Sequence, residues 1–383
     1  MLRFVPVFIA TFFLSIHAGA ILYVNSSLLG SFFGSGAVSL VFIIGALGTV
    51  MIFLFAPKLI DRFGKRPLLS IFLFLAALGT FSLAFATWPW LVALSFIAYA
   101  SSLPMIYYCL DIFLEELSLD GKTGEIRGSY LTVLNLGIAL GPFALAFFSS
   151  IGDELRPVYL AAGFLLIVPI MLALFSFKTE TPKEHEPFYH SARLPFGDWW
   201  NNVSVRRITL SRLVLESFFV FMVIYTPIYL HSNLGFDWLE LGVMFTVMLL
   251  PFVLFQWPAG ELADRFYGEK EMLSIGFLIT GLSLLIMPFI GKIFWAWMAV
   301  LFLSRVGASL IEIMTESYFF KQIAADDTGF ISIFRLTRPA SVILGAAIGA
   351  VALNLVSFEK LFLVVAIIVF LGLRESLSLQ DTR

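Results

Sequence analysis

Four charged side chains interrupt long apolar runs in this chain, and their types and spacing suit proton or ion chemistry. Arg212 and Glu216 stand four apart, so on a helix they are neighbours able to neutralise each other. Arg305, Ser309, Glu312 and Glu316 fall at i, i+4, i+7 and i+11, which puts them on one helical face. A carboxylate in a low-dielectric cavity can hold a proton near neutral pH and release it when the cavity opens, so Glu216 and Glu312 are candidate carriers. His17 is a third, because imidazole titrates in the physiological range; its alternative reading is a hydrogen-bonded packing residue. Arg305 has two readings, as a ligand for an anionic group or as the counter-ion that tunes Glu312. Arg212 divides likewise between anion ligand and structural partner of Glu216.

Other chemistries have no foothold. The single cysteine, Cys109, sits inside an apolar run and excludes a disulfide framework or thiolate metal site. No His or Cys cluster has metal-ligand spacing, and no Ser-His-Asp constellation suggests a hydrolase. A Gly-rich phosphate loop is also missing, which excludes ATP-driven pumping. No cofactor and no enzymatic activity are expected, and any work the protein does draws on a gradient.

The elements that must position these residues are membrane spans. Of 383 residues, 60% are hydrophobic and only 13% charged, against about 25% charged in a soluble domain. The mean hydropathy of +0.96 excludes a soluble globular enzyme. Apolar runs of about 20 residues start near Phe4, Ala37, Pro67, Trp88, Gly128 and Pro157, then near Ile208, Trp238, Met272, Ile293, Phe330 and Glu359. Runs of this length leave no room for a β-barrel, whose strands would be half as long and alternate in polarity. The expectation is an all-α membrane protein of twelve transmembrane helices. If the N-terminus is cytoplasmic, the outer loops carry only Arg156, Lys292 and Lys360, and the spans only Arg212 and Arg305. The rest of the 24 Lys and Arg residues then lie inside, so both termini are expected in the cytoplasm and the protein in the plasma (inner) membrane. The net charge of −2 gives no reason to expect a nucleic-acid partner.

One long polar segment, with Pro182, Pro187, Pro195 and several charges, divides the chain into a six-helix half at 1–177, a cytoplasmic linker at 178–207 and a second six-helix half at 208–383. The halves look like repeats of each other. Asp61-Arg62-Phe63-Gly64-Lys65-Arg66 follows the second span, and Gly260-Glu261-Leu262-Ala263-Asp264-Arg265-Phe266-Tyr267-Gly268-Glu269-Lys270 follows the eighth. Asp111 lies 13 residues before Gly124, and Glu316 lies 13 residues before Gly329, each near the end of its half's fourth span.

These features resemble the major facilitator superfamily of secondary transporters, along the whole chain. The loop pattern of that family is Gly-x-Leu-Ala-Asp-Arg-x-Gly-Arg-Lys. The second copy here matches its opening and carries one extra residue before Gly268, while the first has Pro57 in place of Gly and Lys65 in place of Arg. The motif reads physically as a cytoplasmic latch. Asp61 accepts hydrogen bonds at a helix end, while Arg62, Lys65 and Arg66 reach Asp111. Asp264, Arg265, Lys270 and Glu316 would repeat this in the second half. In span five, Gly137-x-x-x-Gly141-Pro142 resembles the start of the antiporter motif of drug exporters, although Phe143-Ala144-Leu145-Ala146 replaces its trailing glycine pair. Small residues four apart also allow close helix packing on their own. The exporters' span-four Arg is absent between Leu91 and Tyr108.

The resemblance implies two pseudo-symmetric halves and a central cavity lined by spans one, four, seven and ten. His17, Tyr107, Arg212, Glu216, Arg305 and Glu312 all fall on those spans. The expected function is proton-coupled export of an amphipathic small molecule by alternating access, performed by a monomer in a lipid bilayer. Proton-coupled uptake of an organic anion on Arg305 and Arg212 is the alternative. A third reading is a transporter-like sensor or scaffold that binds without flux.

Overall fold

The computed structural model describes residues 4–117, 123–149, 155–177, 196–263, 268–323 and 328–380. Among them there is no strand, and the helices follow one another as twelve spans. In lipid, a helix satisfies every backbone polar group within its own segment, so an apolar run of this length has little other choice. Spans one to six run Val5–Gly34, Ala37–Ala56, Lys65–Phe85, Pro89–Leu117, Thr123–Ser149 and Arg156–Phe175. Spans seven to twelve run Val203–Asn233, Trp238–Leu254 continued by Gln256–Leu262, Glu269–Phe289, Phe294–Gln322, Thr328–Leu355 and Leu361–Leu377. By length and composition, nine of the described helices can cross a membrane unaided. Large apolar side chains crowd the outside: Phe74, Leu78 and Phe85 form one exposed face of span three, as a lipid-facing surface requires.

The chain separates into two compact units, Met1–His190 with Asp237–Thr246, and Ser191–Phe236 with Val247–Arg383. Most of the polar linker, 178–195, lies outside the described residues.

The internal repeat is written in the backbone. Gly64, between spans two and three, has φ 79° and ψ 155°; Gly268, between spans eight and nine, has φ 83° and ψ 158°. Both turns need the positive φ that only glycine adopts without strain. Helix packing repeats as well. Gly137 and Gly141 of span five press against span one, and a methyl added at Gly141 would stand 2.2 Å from the carbonyl carbon of Gly19. Gly345 and Gly349, with the same spacing on span eleven, press against Val220 and Tyr225 of span seven. Tyr225 donates its hydroxyl to the Ala346 carbonyl at 3.0 Å, sealing that second contact.

At Gly141 the neighbouring atoms are backbone, which cannot rotate away. Gly141→Ala is therefore expected to lower stability by about 2 kcal/mol or more. Gly197→Ala, with nothing within 4 Å of the new methyl, is expected to be nearly neutral. Thermal melts of the two variants in the same detergent measure the difference.

Candidate functional site

Span seven opens at Asn202, whose side-chain oxygen accepts from the Val205 amide at 3.1 Å and caps the helix. Two to four turns in, the helix presents Arg212 and Glu216, both buried. Glu216 Oε1 lies 2.9 Å from Arg212 Nε and 2.7 Å from Nη2, so one carboxylate oxygen is held by two guanidinium nitrogens of the same helix. Span ten brings two further carboxylates to the same guanidinium. Arg212 Nη2 is 3.5 Å from Glu312 Oε1, and Nη1 is 3.6 Å from Glu316 Oε1. These last two are ion pairs too long for hydrogen bonds.

Glu312 and Glu316 are i, i+4 neighbours of like charge and repel each other on an isolated helix. Here they are separated by cations from two sides. Arg335 of span eleven donates from Nη1 to Glu316 Oε1 at 3.1 Å, and Arg338 on the same span acts electrostatically on Glu312. The other oxygen of Glu312, Oε2, accepts from Gln256 Nε2 of span eight at 2.7 Å. Phe334 of span eleven lies 5.9 Å from the Arg212 guanidinium and stacks on Phe319 at 4.1 Å, forming an aromatic wall beside the charges. Side-chain exposure runs from 8% at Glu216 and 11% at Arg212 to 26% at Glu312 and Glu316 and 55% at Arg335. The cluster thus reaches in steps from the span interior to its surface.

Arg305 occupies a different environment. It is buried, with its guanidinium 4.9 Å from the Phe218 ring and 5.6 Å from the Phe219 ring of span seven. The cations acting on Glu312 are Arg212 and Arg338, which corrects the expectation of an Arg305 counter-ion. Seven residues along a helix is about 10.5 Å, too far for a direct pair even on a shared face. Glu316, expected in the latch, pairs with Arg212 and Arg335, and its expected partners Asp264 and Arg265 lie outside the described residues.

In the first unit His17 is fully buried, and its Nδ1 lies 2.8 Å from the Ala162 carbonyl of span six. A carbonyl only accepts, so Nδ1 carries the proton; Nε2 has no hydrogen-bond partner among the described residues. Its ring meets Tyr99 edge-on at 5.5 Å. Tyr107 lies 3.2 Å, hydroxyl to hydroxyl, from Ser15 of span one.

The motif residues divide. The Asp61 side chain and all of Asp264 and Arg265 lie outside the described residues, as does everything about Gly260 but its helical backbone. Arg62 lies 5.4 Å from the Phe63 ring, and Lys65 4.9 Å from the Phe113 ring of span four. Arg66 donates from Nε to the Ala173 carbonyl at 2.9 Å and also to Leu174, holding the end of span six. Asp111 is exposed at the end of span four. Lys270 is half-buried, and its carbonyl accepts from Ser274 at 2.9 Å. The residue beside it, Glu269, is the one that pairs across to span ten, with Lys321 and with Ser317 at 3.2 Å. Sequence reasoning assigned no site role to Glu269, Arg335, Arg338 or Gln256. Charge-swapped spacing between the repeats, with Lys65 and Glu269 both directly after the turn glycine, was the signal available for the first of these.

Two curated relatives are uncharacterized MFS-type transporters. YcaD of Shigella flexneri is 26% identical over 205 residues, 53% of this chain and 50% of that protein. One from Enterobacter sp. (strain 638) is 26% identical over 246 residues, 63% of this chain and 59% of that protein. The chain thus matches about half the length of the curated relatives. Among solved structures, a mutant of the nucleoside transporter NupG has the same fold, with TM-score 0.79, 12% identity, and 98% and 99% of the two chains covered. The sequence profile of the Major Facilitator Superfamily matches residues 7–248 and 217–374, nearly the whole chain. Twelve spans, a repeated glycine turn after spans two and eight, and this match agree: the chain belongs to the Major Facilitator Superfamily.

Proposed function

We propose that the protein is a secondary transporter, not an enzyme, which exports an amphipathic small molecule by alternating access in exchange for protons, with Glu312 as the proton carrier. One observation carries this reading: a single buried guanidinium is shared by three carboxylates and is committed to one of them. Arg212 holds Glu216 Oε1 through two nitrogens at 2.7 and 2.9 Å, which leaves Glu312 at 3.5 Å and more exposed. In direct contact the three carboxylates have two cations, Arg212 and Arg335, while Arg338 acts on Glu312 only electrostatically, so Glu312 is the carboxylate whose charge is least compensated locally. Insertion scales put an uncompensated charge in a span at about 2.5–3.5 kcal/mol, so a bound proton is the natural complement. The least tightly held carboxylate is the one that can exchange it.

The remaining parts of the reading follow. The two halves, divided at the 178–207 segment, rock about the substrate, with the turn motifs after spans two and eight as a latch that closes one face. The Lys and Arg distribution supports a plasma-membrane protein with both termini in the cytoplasm, and nothing in the reading requires more than one copy of the chain.

The test is flux in proteoliposomes under an imposed pH gradient, with an internal pH dye. Tetraphenylphosphonium and ethidium serve as lipophilic cations, and benzoate as an organic anion. Proton movement opposite to a cation is expected. Proton movement with benzoate, and none with the cations, would replace export by anion uptake on Arg305. Binding of a panel compound without any flux would turn the reading to a sensor.

A further inference from the structure

We infer that Gln256 is a positioning residue that sets the proton affinity of Glu312; this rests on the proton-carrier reading of Glu312. Span eight is interrupted at Phe255, between two prolines. Pro258 lacks the N–H that would reach the Leu254 carbonyl, and Pro251 removes a bond two turns earlier. Gln256 opens the segment after this interruption and lays its amide against span ten, with Nε2 2.7 Å from Glu312 Oε2.

The chemistry of an amide suits this place. A carboxylate offers only acceptors, and Nε2 donates to it; once Oε2 takes up a proton it becomes a donor, and an amide turned over presents its carbonyl oxygen to accept. Arg212, on the other oxygen at 3.5 Å, can serve the charged form alone. Gln256 therefore stays bonded through both protonation states, and it does so unequally, because a hydrogen bond to a charged acceptor is stronger than one to a neutral partner. Its net effect is to hold Glu312 toward the ionised form. The other charged groups facing Glu312 are Arg212 and Glu216 on span seven, Glu316 one turn along span ten, and Arg338 on span eleven, with Arg335 behind Glu316. None of these can accept a proton's hydrogen bond and donate to the ionised form by turning over in place, as an amide does.

The experiment is an infrared titration of the purified full-length protein, with the proton itself as probe. The carboxylic-acid band that Glu312→Gln removes is the Glu312 signal. In Gln256→Met, a side chain of similar length without donor or acceptor, the midpoint of that band is expected to move up by about one pH unit. Gln256→Asn keeps an amide on a shorter arm and is expected to shift it partway, which covers the case in which the Met variant fails to fold. An unmoved midpoint in a folded Gln256 variant, with lowered thermal stability alone, overturns the inference and leaves Gln256 a packing contact. If Glu312→Gln removes no titrating band, the proton-carrier reading itself fails and takes this inference with it.

Discussion

Arg212→Leu is expected to destabilise the protein by about 3–5 kcal/mol, the largest loss among single substitutions in the second unit, because it strands buried carboxylates without their common cation. Glu216 would lose both of its contacts at 2.7 and 2.9 Å while remaining 8% exposed, and Glu312 and Glu316 would keep only the cations of span eleven. Arg212→Lys should recover part of the loss. An ammonium keeps the charge but lacks the planar fork that reaches three carboxylates from three nitrogens. The informative variant is the pair Arg212→Leu with Glu216→Leu. Replacing a buried ion pair by apolar groups is often neutral, so the double variant should be more stable than Arg212→Leu alone. Melting curves in one detergent decide this, and a single variant as stable as wild type would mean that the cluster is solvated and the guanidinium dispensable.

How far the sequence foretold this arrangement depends on the distance over which each contact acts. Spans are local, and the run beginning near Ala37 or Trp238 becomes a helix beginning at that residue. The pair Arg212 and Glu216 is also local, one turn apart on one helix. The shared face of Arg305, Glu312 and Glu316 follows from helical geometry alone. Its partner does not, because nothing in the periodicity of span ten says which neighbour that face meets. The structure brings span seven against it, so Arg212 replaces Arg305 as the cation at Glu312, and Arg305 turns to Phe218 and Phe219.

Residues to which the sequence assigned no site role share a trait: each is ordinary in its own span. Gln256 is one polar residue near two prolines, and Arg335 and Arg338 read as membrane-edge charges until span eleven packs beside span seven. The glycines Gly345 and Gly349 carry the same spacing as Gly137 and Gly141, and only their contacts with spans seven and one reveal them as the same joint built twice. A repeat of this kind is recoverable from sequence by matching spacing between halves, as the turn glycines Gly64 and Gly268 already suggest.

Glu312→Gln is expected to abolish flux driven by a pH gradient while leaving exchange of the same substrate across the membrane. Glutamine has the shape of a protonated glutamate, and its carbonyl oxygen can still accept from Gln256 where Oε2 does at 2.7 Å. The substitution also removes the least locally compensated of the three negative charges, and Arg212 keeps Glu216 and Glu316. The variant should therefore fold and still bind substrate, with position 312 unable to take up or release a proton. Such a carrier can still swap substrate for substrate, since that exchange moves no net proton, but it cannot use the gradient. Glu216→Gln should behave differently: it removes the charge that pairs with Arg212, so its first effect is on stability, as expected of a structural partner. The comparison is run in proteoliposomes with whichever lipophilic cation gives proton counter-movement in the wild type, measuring uptake under a pH gradient and counterflow without one. Counterflow retained with driven uptake lost identifies Glu312 as the coupling group. Driven uptake at the wild-type rate would remove Glu312 from the mechanism and pass the role to His17, whose buried Nε2 is then the next site to substitute.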